Sequence, residues 1–163
     1  MSQPLHTDVA GIVLAGGLSR RMGGGDKSLR MLGDRSMLAH VIDRLSGQAT
    51  PIAINANGDP HRFSSFSLPV VADTVPDFAG PLAGVLAGMR WAAQTAPAAR
   101  FVVSAATDTP FFPLNLVKSL RVAATADGAE RIALAASDGG MQPVFGLWPI
   151  ADADALEQAL RDG

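Results

Sequence analysis

Val9-Ala10-Gly11-Ile12-Val13-Leu14-Ala15-Gly16-Gly17-Leu18-Ser19-Arg20-Arg21-Met22-Gly23-Gly24-Gly25-Asp26-Lys27-Ser28 opens on an apolar run and breaks into a glycine-rich, cationic loop. Val9 to Val13 reads as a buried strand, a short continuous apolar run stopped by a turn signal. In the segment Leu14 to Ser28 the glycines let backbone N–H groups approach and aim at anionic oxygens. Arg20, Arg21 and Lys27 add formal positive charge, and Lys27 is one of only two lysines in the chain, with Lys118. The loop is expected to hold a polyphosphate such as a nucleoside triphosphate. A surface loop with solvated arginines is the other reading of the same residues.

The familiar phosphate fingerprints do not fit. A P-loop requires Gly immediately before its Lys, and here Asp26 precedes Lys27. The dinucleotide pattern G-x-G-x-x-G is absent from this first loop. No G-x-S-x-G elbow occurs, so Ser19 reads as a phosphate donor and not as a nucleophile.

The chain has 163 residues, 48% hydrophobic and 17% charged, with a formal net charge of −2 and no cysteine. That length suits one domain with a real core, and the composition is that of a globular protein. The slightly acidic balance argues against a nucleic-acid-coating surface; a local basic loop on such a chain suits a small anionic ligand. The lack of cysteine excludes disulfides, thiolate metal sites and a cysteine nucleophile. No apolar run approaches the ~20 residues that span a bilayer, and no basic segment precedes the first apolar stretch as a secretion signal would require. The expectation is a cytoplasmic protein that binds neither nucleic acid nor membrane.

Apolar runs alternate with helical patterns, which predicts an α/β fold with a mostly parallel sheet. Strands are expected at Pro51 to Ile54, Leu68 to Val71, Phe101 to Ala105, Ile132 to Ala136 and Pro143 to Trp148. Helices are expected from Ser36, as cap, to Leu45, from Gly80-Pro81 to Ala93, from Leu114 to Ala124 and from Ala151 to Arg161. Ligand-type residues recur just past strand ends, at Ser19 to Lys27, Asn55, Asp73 and Asp108, the edge where open α/β sheets bind ligands.

Asp108 follows a strongly apolar strand and precedes Thr109-Pro110. A carboxylate there suits Mg²⁺, which prefers oxygen ligands and keeps several waters; a turn residue is the alternative. Asn55 offers a donor and an acceptor to a base edge, or simply ends a strand. Asp73 and Asp77 flank Thr74-Val75-Pro76 before Gly80-Pro81-Leu82-Ala83-Gly84, and an acid can accept from guanine N1–H and N2–H₂, or be merely solvated. The histidines show no metal-site spacing, and Trp91 and Trp148 read as packing residues.

Taken together, Leu14-Ala15-Gly16-Gly17, Ser19, Arg21-Met22-Gly23 and Lys27 resemble the opening of the small nucleotidyltransferases that load a nucleotide onto the molybdenum cofactor, within the sugar-1-phosphate nucleotidyltransferase-like superfamily. An acid ahead of Gly80-Pro81-Leu82-Ala83-Gly84 resembles the guanylyl branch, and the matching acid is Asp73. The resemblance implies a Rossmann-like three-layer fold of the nucleotide-diphospho-sugar transferase type, formed by a single nucleotidyltransferase domain over residues 1–163. Nucleotide contacts are implied for Leu14, Ala15, Gly16, Gly17, Ser19, Arg21, Lys27, Asn55, Asp73 and Asp108, catalytic roles for Arg21, Lys27 and Asp108, and Mg²⁺ binding for Asp108. Gln142-Pro143 resembles a segment beside the acceptor pocket.

The implied reaction transfers GMP from GTP to the terminal phosphate of molybdopterin or Mo-molybdopterin, with release of pyrophosphate. Transient contact with cofactor-synthesis or molybdoenzyme partners follows from the same resemblance. Two alternatives stay open: the cytidylyl branch, whose loop tends to LAAG where this chain has LAGG, and a non-catalytic GTP-binding module. Family members continue beyond the point matching Gly163 with a segment like Asn-x-Asn-Thr-Pro and a helix, so the domain is expected to be incomplete at its C-terminus.

Overall fold

The computed structural model describes residues 5–16, 26–77 and 80–163. Its main sheet has six strands: β1 (Val9–Leu14), β4 (Ile52–Asn55), β5 (Val70–Val71), β6 (Phe101–Ala106), β7 (Ala133–Ser137) and β8 (Gly140–Pro149), in the order β5-β4-β1-β6-β8-β7. β5, β4, β1 and β6 run parallel, and β8 is antiparallel to both β6 and β7. A separate two-stranded hairpin pairs β2 (Met31–Leu32) with β3 (Arg35–Ser36).

Period-two alternation of apolar residues covers both sheet faces. Val9, Val13, Ile52, Ile54, Phe101 and Val103 point to one side, where they meet α1 (Met37–Ser46) and α3 (Leu116–Ala124). Ala10, Ile12, Ala53 and Val102 point to the other, under α2 (Pro81–Thr95), with α4 (Ala153–Asp162) completing that layer. The expected three-layer α/β architecture with a mostly parallel sheet is what forms.

Local chemistry sets the element ends. Ser36 caps α1, its hydroxyl accepting from the Ala39 N–H at 3.1 Å. Pro81 opens α2 at the first helical position, where its missing N–H has no intrahelical role. The strand expected from Leu68 starts at Val70, because Pro69 can accept from the Ile54 N–H (2.9 Å) but has no N–H to return. The helix expected from Leu114 starts at Leu116, where the buried Gln48 accepts from the Val117 N–H at 3.0 Å. Gln48 also donates to the carbonyls of Arg44 and Pro113, at 3.1 and 3.2 Å, and so fixes the segment following β6 to the end of α1. The last helix is preceded by a 3-10 turn, Ile150–Asp152.

The sequence pattern predicts neither the β2–β3 hairpin nor the 3-10 helices at Lys27–Leu29 and Pro60–Phe66. The second of these helices buries Phe63 and is capped by Asp59, whose carboxylate accepts from the His61 N–H at 2.9 Å. Asp followed by Pro is a helix-start signal, and it marks this element.

α2 lies unusually close to β1. A Cβ added at Gly88 would sit 2.8 Å from Ile12 Cβ, nearer than real contacts allow. Gly88→Val is therefore expected to lower the unfolding free energy by about 1–3 kcal/mol through overpacking, measured by denaturant titration. An unchanged midpoint would mean that the α2–β1 contact is not tight.

Candidate functional site

The chain passes from β1 outward to β4 and β5, then returns to pair β6 on the other side of β1. The strand order therefore reverses at β1, and the crevice at the carboxyl ends of β1 and β6 is the topological switch point. Leu14 ends β1 in register with Asn55 of β4 and Ala106 of β6. Ala15 is locked to β4, its N–H donating to the Asn55 carbonyl at 2.9 Å. Gly17, Ser19 and Arg21 lie outside the described residues. Gly16 borders the site, and a Cβ added there would meet nothing closer than 3.7 Å among the described residues, so packing against them does not demand glycine at that position.

The clearest polar cluster joins Asn55, Asn57 and Asp73. Asn55 is buried and donates through Nδ2 to the Val71 carbonyl at 3.1 Å and to Asp73 Oδ1 at 2.9 Å. Asn57 Nδ2 donates to Asp73 Oδ2 at 2.9 Å, and the Asp73 N–H donates back to Asn57 Oδ1 at 2.9 Å. Both carboxylate oxygens of Asp73 are thus oriented by amides while each keeps free lone-pair capacity. The structure joins two expected site residues, Asn55 and Asp73, directly, and gives Asn57 a role as well.

With its amino group facing two acceptors, Asn55 turns Oδ1 toward the first turn of α2. A Cβ at Gly84 would fall 2.2 Å from that oxygen and 2.8 Å from Leu14 Cδ2. This is a physical reason for glycine at the end of Gly80-Pro81-Leu82-Ala83-Gly84: the position leaves space for the Asn55 carboxamide between α2 and β1.

Asp108 stands two residues beyond β6, exposed, with Thr109 Oγ1 at 3.3 Å. Lys27 is exposed at the start of the 3-10 turn Lys27–Leu29. Asp26 caps that turn, accepting at Oδ1 from the Ser28 N–H (3.0 Å) and hydroxyl (2.6 Å). Among the described residues neither Lys27 nor Asp108 is hydrogen-bonded to the Asn55–Asp73 cluster. Gln142 lies in the β7–β8 hairpin and donates to Ser137 Oγ at 3.4 Å. No group of three or more His, Cys, Asp or Glu side chains converges as a metal site among the described residues.

Residues 11–163 match the family described as the MobA-like NTP transferase domain. The chain belongs to that family. It is 52% identical over 160 residues to the molybdenum cofactor guanylyltransferase of Bradyrhizobium sp. (strain ORS 278), covering 98% of this chain and 75% of the relative. To the molybdenum cofactor guanylyltransferase of Mesorhizobium japonicum it is 54% identical over 158 residues, covering 97% and 75%. Among solved structures, molybdopterin-guanine dinucleotide biosynthesis protein A from Archaeoglobus fulgidus superposes with a TM-score of 0.69 at 23% identity, over 94% of this chain and 74% of that one, which supports the shared fold. For a MobA-like chain the strand-end cluster is well situated, since it lies at the edge where this fold type binds its ligand. No helix among the described residues is long and apolar enough to cross a membrane.

If Gly84 makes room for Asn55, Gly84→Ala must drive the carboxamide from its present rotamer. The expected outcome is a shift of the Asn55 side-chain amide signals in ¹⁵N-correlated NMR and nucleotide affinity about tenfold weaker, the worth of one good hydrogen bond. Unmoved signals with wild-type affinity would contradict the steric argument.

Proposed function

We propose that the chain is a molybdenum cofactor guanylyltransferase, transferring GMP from GTP to the terminal phosphate of molybdopterin or its molybdenum form. The observation that carries this reading is the Asp73 carboxylate oriented by Asn55 and Asn57 at the carboxyl edge of the parallel strands. Guanine presents N1–H and N2–H₂ side by side, two donors that a carboxylate with free lone pairs on both oxygens can accept. Cytosine has no such pair. The names of the relatives at 52% and 54% identity support the same conclusion.

In the reaction an oxygen of the acceptor phosphate attacks the α-phosphorus of GTP. A new P–O–P bridge forms, the bond between the α-phosphorus and the bridging oxygen breaks, and pyrophosphate leaves with its electron pair. The acceptor is already an anionic nucleophile, so no general base is needed, and the protein contributes positioning and charge neutralisation. Lys27, with Arg21 and the N–H groups around Gly16 and Gly17, would hold the leaving β- and γ-phosphates. Leu14 and Ala15 carry that loop from β1, and Ser19 would donate to a phosphate.

Asp108 fits a divalent cation carried in with the nucleotide. It is one exposed carboxylate, and Mg²⁺ is typically held by one or two carboxylates together with substrate phosphates and water. Such an ion would supply charge neutralisation at the α-phosphate as the nucleophile approaches.

Pyrophosphate release from GTP with molybdopterin as acceptor is the direct assay. Lys27→Ala and Asp108→Ala are each expected to lower kcat by about a hundredfold or more, the scale of losing one charge-stabilising group. Chelation of divalent cations is expected to stop turnover, and added Mg²⁺ to restore it. Near-normal rates in either variant would remove that residue from the mechanism, and GTP binding without pyrophosphate release would mark a binding module.

A further inference from the structure

The sequence assigns no role to the segment between β4 and β5, yet one side chain there contacts both the cap of the Lys27 turn and the residue that orients Asp73. Arg62 stands on the 3-10 helix Pro60–Phe66, its guanidinium 4.7 Å from the ring centroid of the buried Phe63. Its Nε lies 3.2 Å from Asp26 Oδ2 in an ion pair, and its terminal NH2 donates to the Asn57 carbonyl at 2.9 Å. Asp26 is the carboxylate that caps the turn bearing Lys27, and Asn57 is the amide that orients Asp73.

We propose that Arg62 is a positioning residue that holds the Lys27 turn and the Asn57–Asp73 pair in one fixed relation. The proposal rests on the nucleotide reading of the site. A single planar guanidinium bridges the two parts, so a displacement of one is transmitted to the other. The geometry suits Arg and not Lys, because its donors are directed along separate fixed axes whereas an ammonium is a point charge. Asp26 is well shielded, with 18% of its side chain exposed, so loss of its partner is felt more than at an open surface pair. Its other oxygen already serves Ser28; without Arg62 the turn keeps its cap but loses its link to the base-binding side.

Two readouts test this. In the nucleotide-free chain, Asp26→Asn is expected to shift the side-chain amide signals of Asn57 and Asn55 in NMR, and an Arg62→Gln background is expected to abolish that shift. No propagation from Asp26, or propagation that persists without Arg62, would overturn the proposal whatever nucleotide the protein binds. In binding, Arg62→Ala is expected to reduce the affinity ratios GTP/GMP and GTP/CTP by about tenfold each, with no rescue by Arg62→Lys. In a Lys27→Ala background the further loss in GTP/GMP should vanish, because Arg62 acts on phosphate through Lys27. A uniform loss for GTP, GMP and CTP, or strictly additive effects with Lys27→Ala, would reduce Arg62 to a general stabilising contact. A wild-type chain with no preference for GTP over CTP would instead fail the guanine reading while the nucleotide-free experiment still decided Arg62.

Discussion

The arrangement of the site depends on how closely α2 approaches the sheet. At Gly84 and Gly88, one helical turn apart, the backbone of α2 comes so close to β1 and β4 that a single methyl at either position would collide with Asn55 or Ile12. Because residues four apart share a helix face, the two glycines lie on one line facing the strands. The first turn of α2 is thereby brought against the carboxyl ends of β1 and β4. A buried, hydrogen-bonded Asn55 fits in the space, and Asp73 is held at the end of that amide. An apolar core on both sheet faces makes this approach rigid, since close-packed interiors do not absorb extra volume.

Much of this was legible in the sequence. The apolar runs fixed strand positions because a parallel sheet covered on both faces needs continuous hydrophobic segments. Ser36 and Gly80-Pro81 marked helix starts through capping chemistry. Asn55 and Asp73 were visible as polar residues ending strands, and the parallel topology places all such ends on one edge. Less visible were contacts made across the chain. Nothing local to Arg62 says that it meets Asp26, and nothing local to Gln48 says that it caps α3. The short β2–β3 hairpin and the Pro60–Phe66 helix have too few residues to show a period. The strand boundary at Leu68 and the helix boundary at Leu114 differ from the pattern because proline chemistry and a distant side-chain cap, not hydrophobicity, decide them.

The electrostatic character of the site is that of organised polarity in a slightly acidic protein. Asp73 is oriented by two amides and Asp26 by Ser28 and Arg62. Asp108, by contrast, is left open beyond β6. A carboxylate held by neutral donors is fixed in direction, which suits base recognition, whereas an open one can share a cation with substrate oxygens. The same sheet edge thus offers differently prepared acids, and the distinction comes from which neighbours each strand end acquires.

We propose that the Asn55–Asp73–Asn57 cluster reads guanine. Calorimetric titration with GTP and with CTP, in the presence of Mg²⁺, on the intact chain and on Asp73→Ala, tests it most directly. GTP is expected to bind at least about tenfold more tightly than CTP, and the substitution to erase that preference while leaving CTP affinity nearly unchanged. Equal affinities in the intact chain, or a GTP preference that survives loss of the Asp73 carboxylate, would contradict it.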